Sequence, residues 1–256
     1  MPHLSRPLIL RKSLGQHFLK DDSVCLRIVD ALQQNRFSQL LEIGPGAGAL
    51  TKHLIAIKDI SFKAVEIDRE KVLYLKNHYP VLKDSIVETD FLEMEKPFTG
   101  PFTIIGNFPY NISTEILFKV LGWREDVDTV IGMFQKEVAL RIASSEGNKT
   151  YGVTSVLLQA FFEVEFLFEV SEQAFEPPPK VKSAVIRLTP KKKLPPFRTE
   201  KMFFLLVKTG FNQRRKTLRN AVKSLFTEDV LNDTLFNRRA EQLTILEFAE
   251  LTWKMK

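Results

Sequence analysis

The chain has 256 residues, of which 44% are apolar and 27% charged, a composition typical of a folded globular protein. No apolar run reaches transmembrane length, and the basic N-terminal residues lack the apolar core of a secretory signal, so neither feature is expected. Cys25 is the single cysteine, which excludes an intramolecular disulfide; we expect a cytoplasmic protein in which Cys25 packs in the interior.

The positive charge is concentrated near the two ends of the chain. Residues 1–190 carry 22 Lys and Arg against 24 Asp and Glu, whereas residues 191–256 carry 15 against 7. Arg6, Arg11, Lys12 and Lys20 form a second basic cluster ahead of the first acidic residue. Two basic ends around a nearly neutral body favour a polyanionic partner, nucleic acid first, over an ordinary solvated surface.

In chain order, the middle of the sequence alternates between strand-like and helix-like segments. The strand-like segments are LLEIG, SFKAVEID, SIVETD, FTIIGNF, TVIGMFQ, EFLFEV and SAVIRLTP. Helical spacing is found between them in ALTKHLIAI, REKVLYLKNHY, STEILFKVLGW and KEVALRIAS, and SVLLQAFF leads into EFLFEV. This alternation predicts a doubly wound, mostly parallel α/β sheet, with the last two segments forming an antiparallel edge hairpin.

A linker is predicted at PKKKLPPFR, residues 190–198, where three lysines in a row lie among three prolines. Beyond it, KMFFLLVKTGF, KTLRNAVKSLF and ILEFAELTWKM have helical spacing, and no segment reads as a strand. The sequence therefore predicts an α/β domain over 1–190 and a small basic all-helical domain over 191–256.

A glycine-rich loop follows the first strand, in LEIGPGAGAL. Gly44, Gly46 and Gly48 would let a ligand approach the backbone at a helix N-terminus. Glu66, at the end of the next strand, is placed to bind ribose hydroxyls. The loop also satisfies the dinucleotide pattern, ending at Ala49, so by itself it indicates an adenosine cofactor in a Rossmann-like fold, either NAD or S-adenosylmethionine. A purely structural turn is the remaining alternative.

Further acidic residues fall at neighbouring strand ends. Asp90 could accept a hydrogen bond from an adenine amine, with the apolar Phe91 against the ring. Glu42, in the first strand, extends this series along the edge where open α/β sheets bind ligands. No phosphate-gripping lysine follows the glycine loop, which argues against a P-loop nucleotidase.

The segment Asn107-Phe108-Pro109-Tyr110 lies where a strand ends and a helix begins. Pro109 restricts Phe108 to extended conformations, so the helix must begin later, and Ser113 is the predicted N-cap. Taken alone, NFPY is explained equally well by an ordinary turn with a core tyrosine. Next to the glycine loop and Asp90, it is better explained as part of a site.

These motifs resemble those of class I S-adenosylmethionine-dependent methyltransferases, and NFPY is similar to the Asn-Leu/Ile-Pro-Tyr element of the ribosomal RNA adenine dimethyltransferases. KSLGQHFLKD, EIGPGAGALT, VEID, FEPPPKVKSAV and FNQRRKTLRNAV extend the resemblance over residues 12–223. The chain is identified as a member of the bacterial small-subunit (16S) ribosomal RNA adenine N6,N6-dimethyltransferases, the KsgA/RsmA family. The erythromycin-resistance methylases of large-subunit RNA share the loop and Asn-x-Pro-Tyr, but FNQRRKTLRNAV is similar to the small-subunit family.

The resemblance implies a fold, an activity and partners. The expected fold is a Rossmann-like class I methyltransferase sheet plus a small helical domain. The expected reaction dimethylates the exocyclic amines of two adjacent adenosines near the 3′ end of small-subunit ribosomal RNA, with S-adenosylmethionine converted to S-adenosylhomocysteine. The partners would be the small ribosomal subunit and its RNA, in ribosome biogenesis, with no membrane and no metal; a monomer is expected.

The resemblance also implies roles for particular residues. The Asn107 side-chain oxygen and the Phe108 carbonyl would hold the amine hydrogens, Pro109 would fix the turn, and Tyr110 and Phe175 would cover the two faces of the adenine. Phe108 replaces the usual Leu, and His17 stands where many members have Asn. The implied cofactor contacts are His17, Leu19, Gly44, Gly46, Glu66, Asp90 and Asn107.

In the basic tail, Arg214, Arg215, Lys216 and Arg219 are candidates for gripping the RNA backbone. Ion pairs within the domain explain each of them almost equally well. Two other functions stay open at this point. An NAD(P)-dependent oxidoreductase shares the glycine loop and Glu66 but gives no role to NFPY, and a ribosome-assembly factor could keep the fold with catalysis secondary.

Overall fold

The computed structural model of the protein describes residues 17–256. The predicted basic residues Arg6, Arg11 and Lys12 lie outside the described residues. The described residues divide into two compact units: one contains residues 17–139 together with Glu165–Pro190, and the other contains Leu140–Val164 together with Lys191–Lys256. The chain passes from the first unit to the second after residue 190, where a domain boundary was predicted.

Nine strands occur in the described part of the chain. They are β1 Phe18–Leu19, β2 Gln39–Ile43, β3 Ser61–Glu66, β4 Ile86–Glu88, β5 Phe102–Asn107, β6 Val127–Gln135, β7 Phe162–Val170, β8 Phe175–Glu176 and β9 Ser183–Pro190. The helices between them are α1 Asp22–Gln33, α2 Thr51–Leu54, α3 Arg69–His78, α4 Ser113–Gly122, α5 Lys136–Ile142 and α6 Val153–Phe161.

Seven of the strands form one sheet in the order β4-β3-β2-β5-β6-β9-β7. The pairs from β4 to β6 are parallel, whereas β9 is antiparallel to β6 and lies next to the edge strand β7. The predicted α/β sheet with two added edge strands is thus confirmed. Its central strands are short apolar runs with fully buried side chains, as expected for parallel strands covered on both faces.

The strand order reverses between β2 and β5. From β2 the chain runs outward through β3 to β4, and it then returns to the other side of β2 to form β5 and β6. The loops after β2 and β5 therefore leave the same edge of the sheet in opposite directions. Such a switch point opens a crevice at the carboxyl ends of the strands.

A small second sheet was not anticipated from the sequence. In it β1 pairs antiparallel with β8, with Leu19 opposite Phe175 and Phe18 opposite Glu176. The backbone N–H groups of Lys20 and Asp21 extend the contact, since both donate to the Ala174 carbonyl, at 2.8 and 3.2 Å. This pairing fixes the N-terminal segment against the loop that contains FEPPP.

Some local predictions were right and others wrong. Cys25 is buried in α1, as predicted. ALTKHLIAI forms only the four-residue α2, with turns on either side of it. Ser113 is the first residue of α4 and not its N-cap, which is Ile112; the Ser113 hydroxyl instead donates to the Tyr110 carbonyl at 3.3 Å.

The second unit is helical apart from the start of β7. Its helices after α6 are α7 Glu200–Phe211, α8 Leu218–Val222, α9 Glu228–Leu231 and α10 Ile245–Leu251. Residues 191–256, all of which are described, contain no strand, as predicted. Buried aromatic rings form much of its core, among them Phe203, Phe211, Phe236 and Phe248.

The segment 140–164 differs from the predicted division, which placed it in the first domain. It groups with the second unit because α6 packs on α7, and the Gln159 amide donates to the carbonyls of Ile142 and Ser144 at 2.7 and 2.8 Å. These contacts join residues far apart in sequence, so composition at the linker did not reveal them.

No helix within residues 17–256 is both long and apolar enough to span a bilayer. Among those same residues, no group of three or more His, Cys, Asp and Glu side chains is arranged to hold a metal ion.

Candidate active site

A cavity of about 320 Å³ lies at the carboxyl ends of β2, β3 and β5, at the point where the strand order reverses. This volume is in the range of sites for small ligands. Most of the residues singled out from the sequence line it. They are His17, Leu19, Glu42, Gly44, Gly46, Glu66, Asp90, Asn107, Phe108, Pro109 and Tyr110.

The glycine loop forms one wall, and its backbone conformation requires glycine. Gly44 and Gly46 have φ angles of +66° and +59°, in the left-handed region. A Cβ on Gly44 would contact the Pro109 ring at 3.8 Å, and one on Gly46 would contact the Phe18 ring at 3.6 Å. The loop therefore passes closely between two neighbouring segments, and side chains there would fill the space that a ligand needs.

Glu66, the predicted ribose ligand, is held at the end of β3. Its Oε2 accepts a hydrogen bond from the Gly46 N–H at 3.2 Å, and its Oε1 accepts one from the Asp68 N–H at 3.0 Å. A carboxylate has about four lone-pair sites, so acceptor capacity remains for hydroxyl groups. Glu66 thus ties the glycine loop to β3 and still faces the cavity.

Asp90 lies in a loop that α4 fixes in place. One carboxylate oxygen accepts the Leu92 N–H at 2.8 Å, which leaves the other available to a ligand. The Lys119 ammonium of α4 donates to the carbonyls of Leu92 and Met94 at 2.7 and 2.6 Å. Phe91 packs edge-on against Trp123, with ring centroids 5.4 Å apart. The position of Asp90 therefore depends on the helix that begins after NFPY.

In the NFPY loop, Phe108 packs its side chain in the core, whereas Asn107 faces the cavity. The Phe108 ring is buried edge-on against Phe134, with centroids 5.1 Å apart, and its N–H donates to the Met133 carbonyl at 3.2 Å. Phe in place of Leu is accommodated because this side chain packs in the core. The Asn107 side chain lines the cavity and makes no hydrogen bond to another residue in the described range, so its amide is available to ligands.

Tyr110 is held by a residue that the sequence did not single out. Its hydroxyl lies 2.6 Å from the Ser183 hydroxyl, and Ser183 is fully buried at the start of β9. Burial raises the pKa of Tyr110, and the hydrogen bond with Ser183 acts in the opposite direction. Ser183 follows directly on PPPKVK in a strand-like segment, which gave no sign of a side-chain role.

His17 lies beside Tyr110, with ring centroids 6.0 Å apart. Its Nδ1 is 2.8 Å from the Pro177 carbonyl, which only accepts, so Nδ1 carries the hydrogen and Nε2 is left for another partner. Phe175, predicted to cover one face of the adenine, lies away from the cavity surface in this structure. Its ring is fully buried in the core and does not line the cavity, because its backbone pairs with Leu19 and its side chain turns inward.

Glu42 is a buried carboxyl group at the back of the cavity, 1% exposed. The Thr51 hydroxyl donates to its Oε2 at 2.8 Å. Burial above all raises the pKa of Glu42, the Thr51 hydrogen bond lowers it and the nearby Glu66 raises it, with a net value of about 8. The group is therefore mostly protonated at neutral pH, which lowers the negative charge of the cavity.

The candidate RNA-binding residues lie in the second unit and differ from one another. The Arg214 guanidinium donates to the carbonyls of Lys149 and Tyr151, at 2.7 and 3.2 Å, and pairs with Glu241 at 3.1 Å. Arg219 is half-buried. Arg215 and Lys216 are exposed and form no ion pair within residues 17–256. Structural contacts thus explain Arg214, whereas Arg215 and Lys216 are free to bind a phosphate backbone.

The fold and site are those of the class I methyltransferases: a sheet that reverses between β2 and β5, a glycine loop after β2 and an Asn-Phe-Pro-Tyr loop after β5. Within this class, the family model described as "Ribosomal RNA adenine dimethylase" matches residues 8–252. The chain belongs to the ribosomal RNA adenine dimethylase family, so it is an enzyme that dimethylates adenine in ribosomal RNA.

Individual relatives agree with this assignment. The chain is 53% identical to "Ribosomal RNA small subunit methyltransferase A" of Cytophaga hutchinsonii, over 94% of this chain and 95% of the relative. The structure is similar to a dimethyladenosine transferase from Plasmodium falciparum, with a TM-score of 0.77, 25% identity and coverage of 92% and 96%. The 23S rRNA methyltransferase ErmE shares the fold, with a TM-score of 0.64, 24% identity and coverage of 91% and 99%.

We expect Ser183→Ala to slow methyl transfer by misplacing Tyr110. Loss of one hydrogen bond should reduce kcat/KM by about threefold to tenfold. Tyr110→Phe removes the same bond, so the double variant should be no worse than the more affected single variant. Steady-state kinetics of the four proteins measure this; if the two losses simply add, the bond does not act through Tyr110.

We expect Glu42→Gln to remove a pH dependence of folding stability in the ligand-free protein. The folded pKa of about 8 exceeds the ordinary value of 4.5, so stability from the neutral carboxyl is present below pH 4.5 and is lost as pH rises through 8. The free energy of unfolding of the variant minus that of the wild type should therefore increase as the pH rises from 4.5 to 8, by up to about 1.4 kcal/mol per pH unit. Urea denaturation from pH 5 to 9 measures it, and a constant difference would contradict it.

Proposed function

We propose that the protein transfers methyl groups from S-adenosylmethionine to the exocyclic amines of two adjacent adenosines near the 3′ end of small-subunit ribosomal RNA. One observation carries the proposal: the glycine loop and the NFPY loop line a single cavity, with Gly44 packed against Pro109. Family membership supports the reaction. The name of the Cytophaga hutchinsonii relative supports the small subunit as the target, in preference to the large subunit.

The residues around the cavity are suited to an adenosine cofactor. Glu66 would accept hydrogen bonds from the ribose hydroxyls, and the second oxygen of Asp90 would accept one from the adenine amine. His17, Leu19, Gly44, Gly46 and Asn107 would complete the contacts. The fit rests on the cavity volume, on the side chains missing at the glycine loop, and on acceptors that still have free lone pairs.

When bound, S-adenosylmethionine supplies an electrophilic methyl group on a sulfonium. The adenine amine is a poor nucleophile because its lone pair is delocalised into the ring. The Asn107 side-chain oxygen and the Phe108 carbonyl accept the two amine hydrogens, which favours a tetrahedral nitrogen and directs its lone pair out of the ring plane. The methylated nitrogen, cationic at first, would lose one of its hydrogens as a proton to solvent. No strong base is then required, and alignment provides much of the rate.

Tyr110 provides a stacking surface for the extruded base. Stacking of a base on an aromatic side chain contributes about 1–3 kcal/mol. Pro109 fixes the turn between Asn107 and Tyr110, so that the two acceptors and the Tyr110 ring keep a fixed distance and orientation to one another. Because each adenosine is methylated twice, the same acceptors must also admit a monomethylated amine, which has one hydrogen left to donate.

The partner is the small ribosomal subunit, and the exposed Arg215 and Lys216 contact its RNA backbone. Phosphate contacts of this kind position the enzyme without reading the base sequence. The protein acts in the cytoplasm during ribosome biogenesis. A role in subunit assembly that does not depend on catalysis is compatible with the same contacts.

We expect Asn107→Ala to reduce methyl transfer by about a hundredfold or more, since an acceptor that acts in the transition state is removed. The assay uses radiolabelled S-adenosylmethionine with small subunits that lack the modification, followed by mapping of the labelled bases. Asn77→Ala, an exposed residue of α3, is the control and should be as active as wild type. Label in large-subunit RNA, or full activity of Asn107→Ala, would contradict the proposal.

We expect charge reversal at Arg215 and Lys216 to weaken binding to small subunits. If both contact phosphates, the slope of log K against log salt concentration should fall by about 2. Arg214→Ala should instead lower the thermal stability, because its guanidinium makes contacts within its own unit. Salt titrations of binding measure the first effect. A loss of S-adenosylhomocysteine affinity with unchanged subunit binding would show that these residues do not contact RNA.

A further inference from the structure

Lys71 is a largely buried residue at the cavity wall that the reaction described above does not use. It lies in the first turn of α3, is only 6% exposed, and lines the cavity. Its segment, REKVLYLKNHY, has the helical spacing described above, which gave no sign of a role for Lys71. A lysine that is almost fully buried is rare unless something pairs with its charge.

No such pairing exists within the described residues 17–256. The Lys71 ammonium forms no hydrogen bond or ion pair there, and the group that it faces is the Phe18 ring, whose centroid is 5.7 Å from Nζ. The Glu66 carboxylate, in the preceding strand, is engaged by the N–H groups of Gly46 and Asp68. The Lys71 side chain is packed into the cavity wall with its charge unpaired, so a ligand in the cavity is the natural source of an acceptor for it.

The surroundings of Lys71 indicate which part of a ligand it would meet. The Phe18 ring also lies 3.6 Å from the position of a Cβ on Gly46, and the Gly46 N–H binds Glu66. Lys71 is therefore on the same side of the cavity as Gly46 and Glu66. Asn107 and Tyr110, where the methyl group would be transferred, belong to the loop after β5.

We infer that Lys71 binds the ribose of the cofactor, donating a hydrogen bond to a hydroxyl oxygen while Glu66 accepts a hydroxyl hydrogen. The inference rests on the proposed use of S-adenosylmethionine. A hydroxyl group both donates and accepts, so an ammonium and a carboxylate on one side of the ribose satisfy it more completely than a carboxylate alone. Lys71 is on this account a binding residue and takes no part in the proton chemistry at the amine.

The test compares Lys71→Met with wild type by calorimetry and by thermal melting. Methionine keeps most of the length of the side chain and removes its charge, and the substitution breaks no hydrogen bond or ion pair within residues 17–256. The ligand-free variant should therefore melt no lower than wild type. Its affinity for S-adenosylhomocysteine should fall by about tenfold, since a hydrogen bond from a charged donor is lost. Lys71→Gln, which keeps a donor, should lose less.

A control variant and a second ligand make the result specific. Lys76→Met removes the same charge from the same helix outside the cavity and should bind the cofactor as wild type does. The second ligand is 5′-methylthioadenosine, which has the ribose and adenine but no amino acid; Lys71→Met should weaken it by the same factor. Unchanged affinity of Lys71→Met for both ligands would overturn the inference. A loss of affinity for S-adenosylhomocysteine alone would also overturn it, because Lys71 would then contact the amino acid part of the ligand. Failure of the wild type to bind either ligand would overturn the proposed function itself.

Discussion

The site depends on the close approach of two loops at the point where the strand order reverses. The loop after β2 and the loop after β5 leave adjacent parallel strands, and Gly44 lies beside Pro109, where a Cβ on Gly44 would be 3.8 Å from the proline ring. A positive φ at Gly44 turns the first loop away from the sheet, and the fixed φ of Pro109 holds the second. Because of this contact, a cofactor lying on one loop is within reach of a base held by the other.

The groups that define the cavity are positioned by side chains that take no part in the reaction. Phe108 anchors the NFPY loop in the core, Ser183 holds the hydroxyl of Tyr110, and Lys119 fixes the loop that contains Asp90. Two of these elements, NFPY and α4, are continuous in the chain. A shift of α4 would therefore disturb the adenine end of the cavity and the methyl-transfer end together.

The electrostatics of the cavity suit a cofactor that carries a positive charge. Of the three carboxyl groups that line it, Glu42 is mostly neutral at pH 7, whereas Glu66 and Asp90 are held by backbone N–H groups. The sulfonium would thus sit in a region of moderate negative charge. Lys71 supplies the opposing charge near the ribose, away from the loop that holds the base.

The sequence predicted the sheet, and the meeting of its strand-end residues at one cavity, because both depend on local patterns. Alternating strand and helix periodicity predicts parallel strands, and parallel strands bring their carboxyl ends to one edge, where Gly44, Glu66, Asp90 and Asn107 all lie. Long-range contacts were not visible in such patterns. Pairing of β1 with β8 buries Phe175, and the packing of α6 on α7 moves residues 140–164 into the second unit.

Side-chain partners escaped prediction for the same reason. Arg214 in an RRK cluster looks like an RNA ligand until its contacts with Lys149, Tyr151 and Glu241 are seen. Ser183 looks like an ordinary strand residue until its bond to Tyr110 is seen. Each of these pairs is separated by tens of residues in the chain, so only the folded structure brings the two partners together.

A crystal structure of the protein with S-adenosylhomocysteine tests the central claim most directly. The account predicts the ribose beside Glu66, the adenine at Asp90, and the sulfur at the junction of the glycine loop and NFPY, facing Asn107. A cofactor bound with its sulfur directed away from the loop after β5, or bound outside this cavity, would contradict it.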